Sequence, residues 1–347
     1  MNGPPRRSMV LRAVGDETSA STRHRVLAHR AALEVAGWDT EVRFPRCGGR
    51  PGPFRGMLRL ADLVDDLITP KRVDLLFVHR KTFPVALADR IRRAASRLVF
   101  DMDDAIDLPP PSREMSEREN RRYRRRFEAT VNAFDLVLCG NPELAARVPH
   151  DRVELLPTPV DTVRFTPSRL RRRGGTTLGW VGHSDNLAYL ESLEQPFREL
   201  TRRHPDLRLV VVADRPPTLQ GVEVEFRRWS LGQELASFDG IDIGLMPLED
   251  TPWARGKCAF KAIQFLSLAI PTVASPVGMN GDVVRDGETG FLASDTRQWV
   301  EAVDRLLADP ALARRLGEAG RRLVERDYSL EVVSRRLIEI LEGVVGV

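Results

Sequence analysis

The chain has 347 residues, of which 42% are apolar and 29% charged, with a formal charge of +4. That composition excludes a disordered or fibrous protein, and the length suits two domains of about 150 residues each. No apolar window approaches the roughly 18 residues that cross a bilayer, and the apolar run of MNGPPRRSMVLRAVGD is too short for a signal peptide.

Short β-like runs alternate with helical stretches along nearly the whole chain. MVLRAV (9–14) predicts a strand, TRHRVLAHRAALEVAG (22–37) a helix ended by Gly37, and DTEVRF (39–44) the next strand. A Gly/Pro-rich passage (47–56) leads to a helix near 57–69 and the strand VDLLFVH (73–79). A helix near 84–96 precedes LVFDMDDAID (98–107). An Arg-rich helix follows, then the strand DLVLCG (135–140), a short helix from Pro142, and VELLPTPV (153–160). After TPSRLRRRGG (166–175) the pattern restarts. TLGWVG (177–182), LRLVVVAD (207–214), VEVEF (222–226), IDIGLMPL (241–248) and PTVAS (271–275) read as strands. Helices are expected at 188–204, near 231–238, at 260–269, near 295–308, at 310–326 and in the closing YSLEVVSRRLIEILEGVV. Such alternation implies βαβ units, parallel sheets and an α/β fold of two doubly wound, Rossmann-like domains.

The charge is uneven. Residues 1–160 carry 28 Lys and Arg against 22 Asp and Glu, whereas 161–347 carry 25 against 27. The basic excess peaks in REMSERENRRYRRRFEAT (113–130), with seven Arg and three Glu from Arg113 to Arg126. A solvated helix surface explains that run more simply than nucleic acid does, so no nucleic-acid partner is expected. A basic face of this kind also suits peripheral contact with an anionic membrane. Three scattered cysteines, Cys47, Cys139 and Cys258, fit buried thiols in a reducing cytoplasm better than disulfides or zinc.

In doubly wound sheets, ligands bind outside the carboxyl ends of the strands. Functional residues are therefore expected in GDETSASTR, HRKTF, DMDDAI, GN, GHSDN, EDTPWARGK and SPVGMN, around a cleft between the domains. DMDDAI sets three carboxylates, Asp101, Asp103 and Asp104, within four residues. A haloacid dehalogenase-like phosphatase would follow its Asp-x-Asp with Thr or Val, but Ala105 stands two beyond Asp103. The imitation of that family's distal acidic motif, GDVVRD (281–286), has no strand ending on it. A metal-clamping Asp-x-Asp belongs to single-domain glycosyltransferases, and the two-domain layout argues against it.

KCAFKAIQFLSLAIPTVASPVGMNGDVVRDGETGFLA (257–293) sets a helix ending at Ala-Ile-Pro, a short strand, Pro-Val-Gly-x-Asn and an Asp-Gly-x-x-Gly-Phe-Leu turn in one order. This order resembles the donor-sugar nucleotide site of GT-B glycosyltransferases, specifically glycosyltransferase family 4. LPTPVDTVRFTP (156–167) is similar to that family's interdomain crossing, and TLGWVG to the first strand of its nucleotide domain. DPALARRLGEAGRRLVERDYSLE (309–331) resembles its closing helices, and ETSASTRHRVLAHRAALEVAGWDTEV (17–42) its opening acceptor-side loop and helix. The resemblance covers almost the whole chain and is most specific in 257–293.

The resemblance implies a GT-B architecture of two doubly wound parallel-sheet domains facing across a cleft. Residues 1–165 form the acceptor-side domain, 166–176 the linker, 177–328 the nucleotide-sugar-binding domain, and 329–347 a helix crossing back to the first. It implies transfer of a sugar from a nucleotide diphosphate sugar to a hydroxyl of a small-molecule, glycan or lipid-linked acceptor. Retention at the anomeric carbon is expected, with no metal or other cofactor required, in the cytoplasm or peripherally at the inner membrane face. Gly182, His183 and Ser184 stand where the family has Arg and Lys. Lys257 and Lys261, four apart, are expected to share one face at a helix start and take over the phosphate charge. Gly256 and Gln264 replace the family's two glutamates, and Gln264 still bonds a ribose hydroxyl. Gly278 and Asn280 match the turn at the donor sugar. Ser21, Arg23, Arg25, His79 and Asp101 fall on the acceptor side, where Asp103 or Asp104 accepts the acceptor's proton or holds a sugar hydroxyl. Asp104 is expected to cap a helix and Asp103 to meet the ligand. Lys261 joins the catalytic set by stabilising the departing diphosphate. Two alternatives stand: a catalytically silent sugar-nucleotide or glycan-binding protein, and a phosphohydrolase using Asp101 and Asp103. His24, His29, His150 and His204 are expected at surface or helix positions.

Overall fold

The computed structural model describes residues 7–46, 57, 61–62, 73–111, 114–169 and 176–346. Cys47, Arg113, most of the helix expected near 57–69 and the linker residues 170–175 lie outside the described residues. The chain folds as two units, Met1–Pro159 with Leu330–Val347, and Val160–Ser329.

The first unit contains β1 (Arg7–Arg12), β2 (Trp38–Arg43), β3 (Val73–His79), β4 (Ala95–Met102), β5 (Leu136–Cys139) and β6 (Val153–Leu155). They pair in the order β2-β1-β3-β4-β5-β6, all parallel. Parallel strands covered on both faces read as continuous apolar runs, and all of LVLC in β5 is buried. The closing helix Leu330–Val345 completes this unit's core. Its Val333, Leu337, Leu341 and Val344 form one apolar stripe that packs with Leu11, Leu33 and Phe77. Two polar contacts fix it: His29 Nδ1 meets Ser334 Oγ at 2.8 Å, and Arg97 Nε donates to the Val344 carbonyl at 2.9 Å. His29 is therefore a core residue, 1% exposed, not a surface one. Burial, helped by the Arg25 charge, lowers its pKa to about 3.

The helix expected over 22–37 is interrupted. Ala20–Thr22 runs into a π turn, Arg23–Leu27, before Arg30–Val35. The wider turn lets the adjacent Arg25 and Val26 both face inward. Arg25 donates through Nε to Asp101 Oδ2 at 3.1 Å, through Nη2 to Asp101 Oδ1, and through Nη1 to the Leu156 carbonyl at 2.6 Å. Asp101 also meets His79 Nδ1 at 2.7 Å. Burial alone would raise the Asp101 carboxyl, but Arg25 and the His79 contact outweigh it and hold it at about 2. An ion pair taken out of water is sustained only when its hydrogen bonds are made in full, and here both carboxylate oxygens are engaged.

The second unit contains β7 (Thr177–Val181), β8 (Arg208–Ala213), β9 (Val224–Arg228), β10 (Ile243–Met246), β11 (Thr272–Ala274) and β12 (Gly290–Leu292). Their order is β12-β11-β10-β7-β8-β9, again all parallel. The helix Phe260–Ser267 lies directly on β10, because a Cβ at Gly244 would come within 2.5 Å of the Phe265 ring. The crossing segment belongs to this unit from Val160 onward. Val160 N donates to the Tyr328 carbonyl at 2.9 Å, and Arg321 donates to the carbonyls of Thr162, Phe165 and Ser267. The helix expected at 188–204 divides into Leu187–Glu191 and Glu194–Arg203, with Pro196 in the first turn of the second. The helix expected near 231–238 reduces to 3₁₀ turns at Leu231–Gln233 and Ala236–Phe238, while the Gly-Phe-Leu turn is strand β12.

Asp101→Asn leaves Arg25 charged and short of its partner in the core. A loss of roughly 3–5 kcal/mol in urea unfolding is expected, and an unchanged midpoint would contradict a tight buried pair. Acid sensitivity has a worked sign. The folded pKa of His29, about 3, lies below its ordinary 6.5, so its contribution is complete above 6.5 and lost as pH falls toward 3. Asp101, depressed from 3.8 to about 2, adds a further loss only below about 4. The melting temperature should drop by several degrees between pH 7 and 5, and His29→Leu should flatten that first part of the slope.

Candidate functional site

In the first unit the polar cluster gathers at the carboxyl ends of β1, β3 and β4. Strand β4 stops at Met102, so Asp103 and Asp104 lie beyond the sheet while Asp101 stays inside it, fully buried. Ser21 Oγ lies 2.6 Å from His79 Nε2 and donates to Asp103 at 2.9 Å to Oδ2 and 3.1 Å to Oδ1. A hydroxyl has one proton, so it serves either His79 or Asp103 at a given moment, according to the imidazole tautomer. Arg80 takes a left-handed φ of 57° and reaches Asp104 Oδ2 at 3.2 Å and Asp103 Oδ1 at 3.4 Å. A non-glycine residue in that conformation costs of order 1–3 kcal/mol and persists where surrounding contacts hold it. Burial raises the Asp103 carboxyl, but Arg80, His79 and Arg25 outweigh it, so it is lowered overall and carries charge. Its side chain is 12% exposed and that of Asp104 22%.

Two acceptor-side expectations change here. Arg25 and Asp101 are consumed by their own ion pair, at 1% and 0% exposure, and are closed to a ligand. Asp104 caps no helix; its Oδ1 accepts from the Ala105 amide at 3.1 Å in a turn. A phosphohydrolase using Asp101 and Asp103 thereby loses its buried partner, since Asp101 has no free oxygen. Arg23 is half-buried on the π turn. Arg80, which the sequence reading did not select, stands beside His79 in HRK, and that adjacency was its signal.

The second unit presents its loops at the ends of β7, β8, β10 and β11. Gly182 packs under Trp180, where a Cβ would come within 2.4 Å of the ring. His183 accepts from the Asp185 amide at 3.3 Å and has an exposed side chain. Ser184 donates twice to Asp214, from N and from Oγ, each at 2.7 Å. Burial raises Asp214, but the Ser184 bonds win and lower it. Carboxylates thus flank the loop after β7. Asp214 ends LRLVVVAD, so its position after an apolar run was the available signal.

Lys261 Nζ donates to Gln264 Oε1 at 2.7 Å on the helix Phe260–Ser267. Lys257 does not share that helix face. It lies before the helix, its amide donating to the Ala254 carbonyl at 3.0 Å, because Ala259 at φ 48° starts the helix only at Phe260. Gly256 closes the short helix Pro252–Arg255 and has no side chain to offer. Gly278 has φ 52°, and a Cβ there would come within 2.5 Å of the Arg255 carbonyl, so glycine is required. Asn280 is 1% exposed and donates to the carbonyls of Ser275 at 3.0 Å and Met246 at 3.3 Å, tying the ends of β10 and β11. A cavity of about 760 Å³ in this unit is lined by Tyr189, Glu249, Asp250, Asp295 and Trp299 among others, with no Lys or Arg. Its acidic lining does not suit a diphosphate. Among the described residues, no group of three His, Cys, Asp or Glu side chains is placed to hold a metal ion.

Residues 175–309 match the family described as glycosyl transferases group 1. A GDP-mannose-dependent alpha-(1-6)-phosphatidylinositol monomannoside mannosyltransferase of Mycolicibacterium smegmatis is 31% identical over 225 residues, 56% of this chain and 57% of that protein. An alpha-maltose-1-phosphate synthase of the same organism is 37% identical over 90 residues, 24% of this chain and 23% of that one. The chain thus spans less than two thirds of either relative. Among solved structures, sucrose-phosphate synthase of Thermosynechococcus elongatus aligns with a TM-score of 0.73 at 17% identity, covering 97% of this chain and 99% of that one. HepE of Anabaena, solved with UDP and glucose, aligns with a TM-score of 0.68 at 13% identity, covering 97% and 100%. At those identities the structures speak for the fold, and the family match falls on the second sheet and its loops. Residues 175–309 thus carry the match to the group 1 glycosyltransferases, and the chain shares the GT-B fold of these solved structures.

Proposed function

We propose that this chain moves a sugar from a nucleoside diphosphate sugar to an acceptor hydroxyl, with retention at the anomeric carbon and without a required metal. The reading rests above all on the Lys261–Gln264 pair in the first turns of a helix inside the family-matched segment. A helix N-terminus and an ammonium together favour a diphosphate, and the same charge would stabilise it as a leaving group. Lys257 adds a second cation from the turn before the helix. Gly182, His183, Ser184, Gly278 and Asn280 complete the donor side, mostly by shaping backbone. The names of the relatives make GDP-mannose and UDP-glucose the first donors to try.

On the acceptor side, Asp103 is the group with the right chemistry. It is ionised, partly exposed and held by Ser21 and Arg80. It would accept the acceptor hydroxyl's proton or a hydrogen bond from it, with His79 backing Ser21. Asp104, held by Arg80, would bind a neighbouring hydroxyl. Arg118, Arg122 and Arg125 lie exposed along one face of the helix Glu117–Val131, a spacing that suits a lipid-linked acceptor at an anionic membrane surface. Among the described residues no helix is long and apolar enough to cross a membrane, so that contact would be peripheral, at the cytoplasmic face. A silent nucleotide-binding role is the second reading, favoured by Gly256 and Gln264 in place of glutamates.

Calorimetry with GDP and UDP in EDTA tests the donor side. Binding of one of them is expected, weakened about 10–100-fold in Lys261→Ala through loss of a charge-assisted bond. Asp103→Asn should keep donor affinity and lower turnover about 100-fold. Equal turnover in that variant would remove Asp103 from the mechanism.

A further inference from the structure

A second cavity of the second unit, about 430 Å³, is lined by Pro167, Ala269, Arg314, Glu318, Arg321 and Arg322. Ala269 stands just before β11, so this recess lies toward the amino end of that strand. Doubly wound sheets bind their substrates at the opposite, carboxyl end. Ala269 is also eight residues past Lys261, about 12 Å along the helix Phe260–Ser267 and its end. Close packing shapes the recess. In the helix Pro310–Asp327, a Cβ at Gly317 would come within 2.3 Å of the Ala269 carbonyl, and one at Gly320 within 2.5 Å of Leu266. Helix and turn therefore meet almost backbone to backbone, and the arginines of the adjoining face stand around the seam.

Those arginines divide into two kinds. Arg321 is committed: it donates to the carbonyls of Thr162, Phe165 and Ser267, and its Nε to Glu325 at 2.7 Å. Arg314, Glu318 and Arg322 follow one another at four-residue steps, and all three are exposed. At that spacing Arg and Glu commonly pair. Arg321 and Glu325 do so on the same helix, as do Arg335 and Glu331 on the next at 2.8 Å. Among the described residues, however, Arg314, Glu318 and Arg322 make no ion pair or hydrogen bond, with each other or with anything else. Two guanidiniums and a carboxylate thus border one hollow with their bonding groups uncommitted.

A guanidinium fork fits phosphate oxygens, whereas a carboxylate repels phosphate and accepts from hydroxyls. Arg-Glu-Arg along about 12 Å of helix therefore sets an anion site at each end and a hydroxyl site between them. The volume suits a small molecule. We infer that this recess is a second binding site, for a phosphorylated sugar held by Arg314 and Arg322 through phosphate and by Glu318 through ring hydroxyls. Arg321 lies behind it and links an occupied recess to the crossing segment at Thr162 and Phe165.

The test is calorimetry of fructose 1,6-bisphosphate and of inorganic phosphate on the full chain, on Lys261→Ala and on the double variant Arg314→Ala/Arg322→Ala. The wild type should bind the bisphosphate at least tenfold more tightly than inorganic phosphate. The double variant should lose about 10–100-fold of that affinity with its charge-assisted bonds. Its melting temperature should match the wild type, since both arginines are exposed and alanine favours the helix. Lys261→Ala should bind the bisphosphate unchanged. No binding by the wild type, or equal binding in the double variant, would overturn the inference. Loss of binding in Lys261→Ala would overturn it too, by placing the bisphosphate at the proposed donor site. Equal affinity for inorganic phosphate would do the same, because a mere patch of surface charge gives that result.

Discussion

A guanidinium and a carboxylate withdrawn from water set the constraint on which the first unit's chemistry depends. Once Arg25 and Asp101 are both buried, every oxygen and most N–H groups of the pair must be matched. Arg25 engages both oxygens of Asp101 and the Leu156 carbonyl, and His79 Nδ1 meets Oδ2 as well. One knot therefore joins the opening helix to the ends of β3 and β4 and to the segment after β6. It also orients His79, whose Nδ1 is held inward so that Nε2 meets Ser21. The three aspartates consequently divide. Asp101 belongs to the core, while Asp103 and Asp104 remain for chemistry, steadied by Arg80 in a conformation that the same strand ends impose.

For the proposed donor reaction, the second unit would have to place positive charge where a diphosphate lies. Its loop after β7 is turned toward carboxylates by Ser184 and Asp214. The cation stands instead on the helix Phe260–Ser267, which reaches its place over β10 because Gly244 leaves room for Phe265. Backbone contact between Gly278 and Arg255 and the two bonds of Asn280 then lock the neighbouring loops. Gly278 and Asn280 thus act on the backbone, and in the proposed donor site the charge would fall to the lysines.

Much of this was legible in the sequence because parallel strands buried on both faces announce themselves as apolar runs. VDLLFVH became β3 with the same ends, and both sheets follow the alternation read along the chain. The family resemblance in 257–293 lies within the segment, 175–309, that the family match covers. What escaped the reading depends on contacts that sequence spacing does not encode. Arg25 and Asp101 are 76 residues apart, and an arginine on an opening helix looks like surface until its partner is known. The π turn that brings it inward carries no Pro or Gly to mark it. Lys257 was expected on the helix because four-residue spacing fits one face, yet Ala259 adopts a left-handed conformation that only glycine would have signalled. His29 likewise reads as an exposed helix position until Ser334, from the closing helix, covers it.

Transfer of a sugar by this chain would release a nucleoside diphosphate. The most direct measurement is mass-spectrometric detection of GDP from GDP-mannose and of UDP from UDP-glucose, incubated with the full chain in EDTA, with water or added mono- and disaccharides as acceptors. Enzyme-dependent release of one nucleoside diphosphate, lost in Lys261→Ala, is the expected result. Binding of that donor with no release under any of these conditions would contradict it and leave the silent, nucleotide-binding reading.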